Sequence, residues 1–198
     1  MEHPEHEWQR TQFLIALCTL SGYFSETVLH AIANRQAPER IERAKVSDEV
    51  EACLSWHRAN EGQWPTSVDC DRLDAAYEAL ADHGVLGLHW CQGTISAGHD
   101  HATELALDMG FRGYCFFHEQ DITGAIRGDG LDLAYDAAEV DRELALAIGQ
   151  IVAETMSSTG LTVNWSGRLA DRIELPGFAW GRRYKASLES AVLQASCL

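Results

Sequence analysis

Cations are scarce in this 198-residue chain: 15 Lys and Arg face 30 Asp and Glu, a formal net charge of −15. Only Lys45 and Lys185 are lysines. Non-specific binding to nucleic acid or to an anionic membrane needs a cationic face, so the balance argues against both. Paired cysteines are also missing. Cys18, Cys53, Cys70, Cys91, Cys115 and Cys197 stand far apart, without a CxxC pair or a regular disulfide framework. Long apolar runs are absent as well. The stretch from Phe13 to Leu20 is too short to span a bilayer, and the segment Met1 to Glu7 is acidic where a secretory signal is basic. Cys197 is next to last, so no prenylation box is expected. No solenoid repeat is visible. The expectation is a reduced, soluble, cytoplasmic protein with no membrane partner.

What is present is ordinary globular material: 46% hydrophobic and 23% charged residues. That length supports one domain with a real core, with or without a small appendage. Texture divides it into a helical N-terminal segment (1–64), an α/β core (65–184) and a C-terminal extension (185–198).

In the first segment Trp8, Leu14, Leu17 and Cys18 share a helical face, and Ser25 can cap a second helix bearing Val28, Leu29 and Ile32. Ser47 can cap a third helix over 47–59 with Val50, Cys53, Leu54 and His57 on one face. Beyond the loop 60–65, Leu73, Ala76, Tyr77 and Leu80 form a helical stripe, followed by a strand at 85–90. A second stripe, Ala102, Leu105, Ala106 and Met109, precedes the apolar strand 113–118. Asp121 can cap a short helix, Leu131 to Asp136 alternates as a strand, and Val140 to Thr155 marks the longest helix. Leu161, Val163 and Trp165 alternate again, and 172–175 is expected to pair with them antiparallel. The connection 91–112 is ample for a parallel crossover, while 119–130 is barely long enough. The predicted fold is therefore α/β or α+β: a mixed sheet of four or five strands with packed helices, preceded by helices.

Several strings occur together at close spacing: Asp69-Cys-Asp-Arg-Leu-Asp-Ala-Ala-Tyr-Glu-Ala-Leu80, Trp90-Cys-Gln92, Arg112-Gly-Tyr-Cys-Phe-Phe-His-Glu-Gln-Asp121, Gly130-Leu-Asp-Leu-Ala-Tyr135 and Trp180-Gly-Arg-Arg183. With them the chain resembles an uncharacterised bacterial family, a domain of unknown function, over about residues 22–184. The resemblance implies one compact unit and no particular chemistry. It also implies further cysteines after Cys91-Gln92, where this chain has Gly93-Thr94-Ile95-Ser96 instead.

Four constellations bear on function. Cys91, His99 and His101 offer zinc-type ligands, but C-x7-H-x-H is not a standard zinc spacing, and ordinary loop polarity is the plainer reading of these residues. No cofactor is expected, with a zinc ion on these residues as the alternative. His118-Glu-Gln-Asp121 sits where a strand passes into a helix, and open α/β sheets bind ligands beyond the carboxyl ends of their parallel strands. If the strands at 85 and 113 are parallel neighbours, Cys91, Gln92, His118, Gln120, Asp121 and Tyr135 meet at that edge, and a Cys–His pair could serve as nucleophile and base. The plainer reading is that Asp121 caps its helix. Arg127-Gly-Asp-Gly130 precedes a strand and reads as a helix stop rather than a phosphate loop. Charge, finally, is uneven. Residues 71–143 hold fifteen acids against four arginines, a local −11, whereas residues 165–185 carry a local +3 among aromatics, which leaves a phosphate contact open there.

Asp129, Asp132 and Asp136 therefore mark a surface for a partner with a basic face. The expected function is a non-enzymatic acidic binding or regulatory module, of the kind seen in immunity-type inhibitors, taking a macromolecule or a small ligand. The competing expectation is a metal-binding or Cys/His-dependent enzyme centred on Cys91 and His118. A homodimer built through the terminal helices is the third expectation.

Overall fold

The computed structural model describes residues 4–65, 68–91 and 94–196. Its elements run α1 (Pro4–Ser21), α2 (Glu26–Gln36), α3 (Arg43–Glu61), α4 (Asp69–Asp82), β1 (Val85–Cys91), α5 (Ile95–Met109), β2 (Gly113–His118), α6 (Glu119–Arg127), β3 (Leu131–Ala137), α7 (Arg142–Ser158), β4 (Ile173–Leu175) and α8 (Ala186–Ser196). The fold is α/β, with a mixed four-stranded sheet. Two compact units result. One gathers Met1–Thr66 with Gly181–Ser190, the other Ser67–Trp180 with Ala191–Cys197.

In the first unit α1, α2 and α3 pack on one another. Trp8, Ile15, Leu17 and Cys18 of α1, Leu29 and Ile32 of α2, and Val46, Val50 and Leu54 of α3 are buried there. Leu14, expected on the buried stripe of α1, is only half-buried; Ile15 takes that role. Ser25 caps α2 as anticipated, its hydroxyl accepting the Val28 N–H at 3.4 Å. Helix α3 begins four residues before the expected Ser47, with Glu42 at its cap position, because Val46 is fully buried and extends the apolar face backwards. At 19 residues it is also longer than α7.

The second unit is built on the strand order β1-β2-β3-β4, with β1 and β2 parallel and the other two pairings antiparallel. Chain reach explains the mixture. A six-residue strand rises about 20 Å, which the 15-residue α5 can retrace at about 1.5 Å per residue. The nine-residue α6 reaches only about 13 Å, so β3 must run back antiparallel. Gly110 and Gly128 stop the two helices in the left-handed region, at φ of 77° and 93°.

One sheet face, with Leu86, Cys91, Tyr114, Phe116 and Ala134, is packed with Ala102 and Ala106 of α5. On the other face Gly87 accommodates the Tyr77 ring of α4, and Gly113 accommodates Ile148 of α7. Strand β3 is buried at Ala134 as well as at Leu133 and Tyr135, so the expected half-exposed alternation holds only at Asp132 and Asp136. Val140 lies outside α7 and is fully exposed, since Asp141 starts the helix by accepting the N–H groups of Glu143 and Leu144. The predicted strand at 161–165 is reduced to a single bridge, Asn164 to Glu174. Strand β4 spans three residues, with Ile173 and Leu175 buried, and pairs with β3 instead.

Strand β1 is irregular near its carboxyl end. Its register steps from Leu88 opposite Phe116 to Cys91 opposite His118, three residues against two. Trp90, completely buried, takes up the extra residue with a left-handed φ of 53°, a costly backbone state for a bulky side chain. The bulge returns Cys91 to the same sheet face as His118.

None of the five described cysteines is in a disulfide. Among the described residues no helix is long and apolar enough to cross a membrane.

The close approach at Gly87 gives a direct check on this packing. A methyl there would lie 2.5 Å from Tyr77 Cγ, an inner ring atom that cannot swing aside. Gly87→Ala is expected to cost about 1–3 kcal/mol by overpacking, despite the better strand propensity of alanine, and urea denaturation with an unchanged slope is the measurement.

Candidate functional site

Parallel strands β1 and β2 end side by side, with Cys91 and His118 as register partners. Beyond their carboxyl ends opens a cleft of about 470 Å³ lined by Ile95 and His99 of α5, His118, Gln120 and Asp121 of the β2–α6 junction, Ala134 and Tyr135 of β3, and Leu169 to Arg172. This is the place where open α/β sheets take ligands. The two helices that leave the parallel strands, α5 and α6, both start there.

Asp121 organises the site. It occupies the third position of α6 rather than the cap, and His118 is the cap residue, because the carboxylate reaches back to accept the His118 backbone N–H at 2.8 Å. The His118 Nδ1 lies 2.5 Å from the same Oδ2. From the far side Arg172 donates through both terminal nitrogens, at 2.9 and 2.7 Å, and also donates to the Asp132 carbonyl at 2.6 Å. Burial alone would raise the pKa of Asp121, but the hydrogen bonds from His118 and Arg172 outweigh it and hold it below the usual carboxylate value. A buried carboxylate with this many donors stays ionised and accepts only.

His99 is fixed separately. Its Nδ1 is 2.9 Å from the Tyr114 hydroxyl, which accepts from Thr103 at 3.1 Å, and its ring meets Phe116 edge-on at 5.1 Å. Burial lowers the His99 pKa, against a smaller opposing pull from Asp136, so the ring is biased toward neutrality. Burial likewise pushes Tyr114 up to about 12.

The residues singled out in the sequence divide between cleft, core and surface. His118, Gln120, Asp121 and Tyr135 line one cleft; Tyr135 also packs on Trp165 and donates to the Arg168 carbonyl at 3.1 Å. Cys91 reaches the same edge, yet it is buried, and desolvation pushes its thiol up to about 12. A neutral thiol is neither nucleophile nor metal ligand. Gln92 lies outside the described residues. Cys91, His99 and His101 do not bring three ligand atoms together; among the described residues that happens only for Glu26, His30 and Glu51 in the first unit. There, Glu26 already pairs with Arg58 at 2.6 Å and His30 with Glu51 at 3.2 Å, which joins α2 to α3.

Asp129 and Asp136 are exposed and Asp132 is half-buried. Asp132 sits directly opposite Glu174 in the β3–β4 ladder. The basic stretch at 165–185 is already occupied: Arg172 by Asp121, Arg168 by Asp171 at 2.8 Å, Arg182 over the Tyr23 ring at 4.5 Å, and Arg183 by the Pro65 carbonyl at 2.9 Å.

Arg172, which reads in the sequence as one more member of that basic stretch, is a member of the site. The signal that could have found it was Asp121, since a carboxylate next to a buried strand requires a cation.

Residues 9–184 match the family described as a domain of unknown function (DUF6891), and the chain belongs to that family. The match begins earlier than the expected residue 22, so most of α1 is part of the family unit. Neither the curated proteins nor the solved structures contain a match to the chain.

The Asp121 cluster has a measurable signature in pH. Its folded pKa is lowered, so its stabilisation is complete above the unfolded carboxylate value and disappears as pH falls through the folded one. Asp121→Asn is expected to lose roughly 3 kcal/mol near neutral pH by leaving Arg172 without its partner. The gap from the parent should narrow on acidification, as read from urea denaturation at a series of pH values.

Proposed function

We propose that the protein is a non-enzymatic binding module that takes a small molecule in the cleft beyond the parallel pair β1–β2. One observation carries the proposal. A preorganised pocket of about 470 Å³ is walled by His99, His118, Gln120 and Arg172, while the one cysteine at that edge is held as a neutral thiol. Ligand pockets of this size combine apolar lining with a few fixed polar groups. Ile95, Ala134 and Leu169 supply the first; the histidines, held from behind by Asp121 and Tyr114, supply the second.

Ala170 is exposed on the rim of the cleft, so Ala170→Trp fills the entrance without touching the core. In a fragment screen read by backbone amide shifts, ligands are expected to move residues 95, 99, 118 and 120 in the parent and not in Ala170→Trp, at equal melting temperature. A screen in which no fragment moves those residues removes the proposal.

A second reading, docking of a partner with a basic face, is favoured by one specific feature of the β3–β4 edge. Like charges directly opposite in a ladder destabilise it, and Asp132 faces Glu174. Burial raises the Asp132 pKa, with Asp121 and Glu174 adding to the effect and Arg172 opposing it. A raised carboxylate pKa means that ionisation opposes folding above that value. Asp132→Asn is therefore expected to raise the melting temperature at neutral pH, with the gain vanishing below the carboxylate range. A loss of stability instead would take the strain argument away from this edge.

A further inference from the structure

The cleft contains two histidines whose front nitrogens have no partner among the described residues. We infer that it selects a neutral ligand carrying an amide or lactam group, with its N–H donated to His118 Nε2 and its carbonyl accepting from His99 Nε2–H. The inference rests on the cleft being a ligand site and adds the class of ligand.

Asp121 sets the first tautomer. An ionised carboxylate can only accept, so the His118 Nδ1 that lies 2.5 Å from it must carry the proton. In the neutral ring the Nε2 then holds a lone pair. His118 is 5% exposed and lines the cleft, so that lone pair belongs to a built site and not to bulk solvent. His99 works in the opposite sense. Thr103 donates to the Tyr114 oxygen at 3.1 Å, which leaves the single Tyr114 proton for His99 Nδ1 at 2.9 Å. With Nδ1 accepting, the His99 proton resides on Nε2. One wall thus offers an acceptor and the other a donor, the complement of an amide edge.

Charge points the same way. Each ionic group in the cleft already has a counter-ion: Asp121 has Arg172, and Asp171 has Arg168 at 2.8 Å and the Ser166 hydroxyl at 2.5 Å. A carboxylate or ammonium ligand would give up its hydration and find no unpaired charge in return. A neutral amide gives up less, and a buried donor or acceptor that matches it discriminates strongly against a ligand lacking the group.

Imidazole nitrogens report tautomers directly, so the test is a long-range proton–nitrogen correlation spectrum of the full-length chain, with nicotinamide and nicotinate as matched probes. Without probe, His118 is expected as the Nδ1–H form and His99 as the Nε2–H form. Millimolar nicotinamide should shift both Nε2 signals, and nicotinate should shift neither. His99→Phe, which keeps the ring contact with Phe116, should weaken nicotinamide binding at least fivefold. The opposite tautomer at either histidine, an equal response to nicotinate, or no response to nicotinamide overturns the inference. Fragments of another class that still move the cleft residues, and fail to do so in Ala170→Trp, would leave the cleft as a ligand site while removing the amide class.

Discussion

The carboxylate of Asp121 is the constraint on which the second unit depends. Burying a charge is costly unless it is fully hydrogen-bonded, and here the donors come from different parts of the chain. His118 ends β2, Asp121 itself lies in the first turn of α6, and Arg172 stands immediately before β4. Through its bond to the Asp132 carbonyl, Arg172 also reaches β3. One anion therefore ties the ends of the strands together and sets the rotamer of the histidine in the cleft. The short connection α6 makes this possible, because it is too short to carry the chain away from that edge.

The same cluster changes the meaning of the net charge. A total of −15 suggests an acidic surface diluted by thirteen arginines. In the structure the arginines between 168 and 183 each have a partner in the chain, carboxylates in one unit and aromatic rings and carbonyls in the other. Each of the arginine–carboxylate pairs removes an acid together with a cation, so the local balance does not by itself mark a basic face. The four arginines of the stretch that the sequence offers as a phosphate contact thus all have partners within the chain, although Arg168 stays exposed.

Local features of the fold were legible because their causes are local. The stripe from Leu73 to Leu80 is buried as its spacing demands, β2 occupies the residues its apolar run indicated, and glycines stop α5 and α6 where expected. Two kinds of information were not. The first is parity: nothing in Leu88 to Cys91 announces that Trp90 adopts a left-handed φ, yet that extra residue decides which face Cys91 joins. The second is long range. Asp121 and Arg172 are 51 positions apart, and their pairing follows from the β3–β4 register. That register also took Ile173 and Leu175 away from the strand expected at 161–165. The cleft residues could be nominated one at a time from the junction of strand and helix, but their joint geometry could not.

Cys91 shows how far the geometry separates binding from thiol chemistry at this edge. The bulge carries it onto the face of His118, which is the juxtaposition a nucleophile and base would need. Everything else opposes ionisation. The side chain is sealed among Leu86, Phe116 and Ala102, and its pKa is about 12. Desolvation by burial is the cause of that shift, and a thiol without a stabilising charge beside it stays protonated. His118, for its part, has its Nδ1 turned to the Asp121 carboxylate, 2.5 Å away, and not to the thiol. A residue that packs and a residue that recognises can share an edge without sharing a reaction. The left-handed backbone at Trp90 is what sets Cys91 in that packed position.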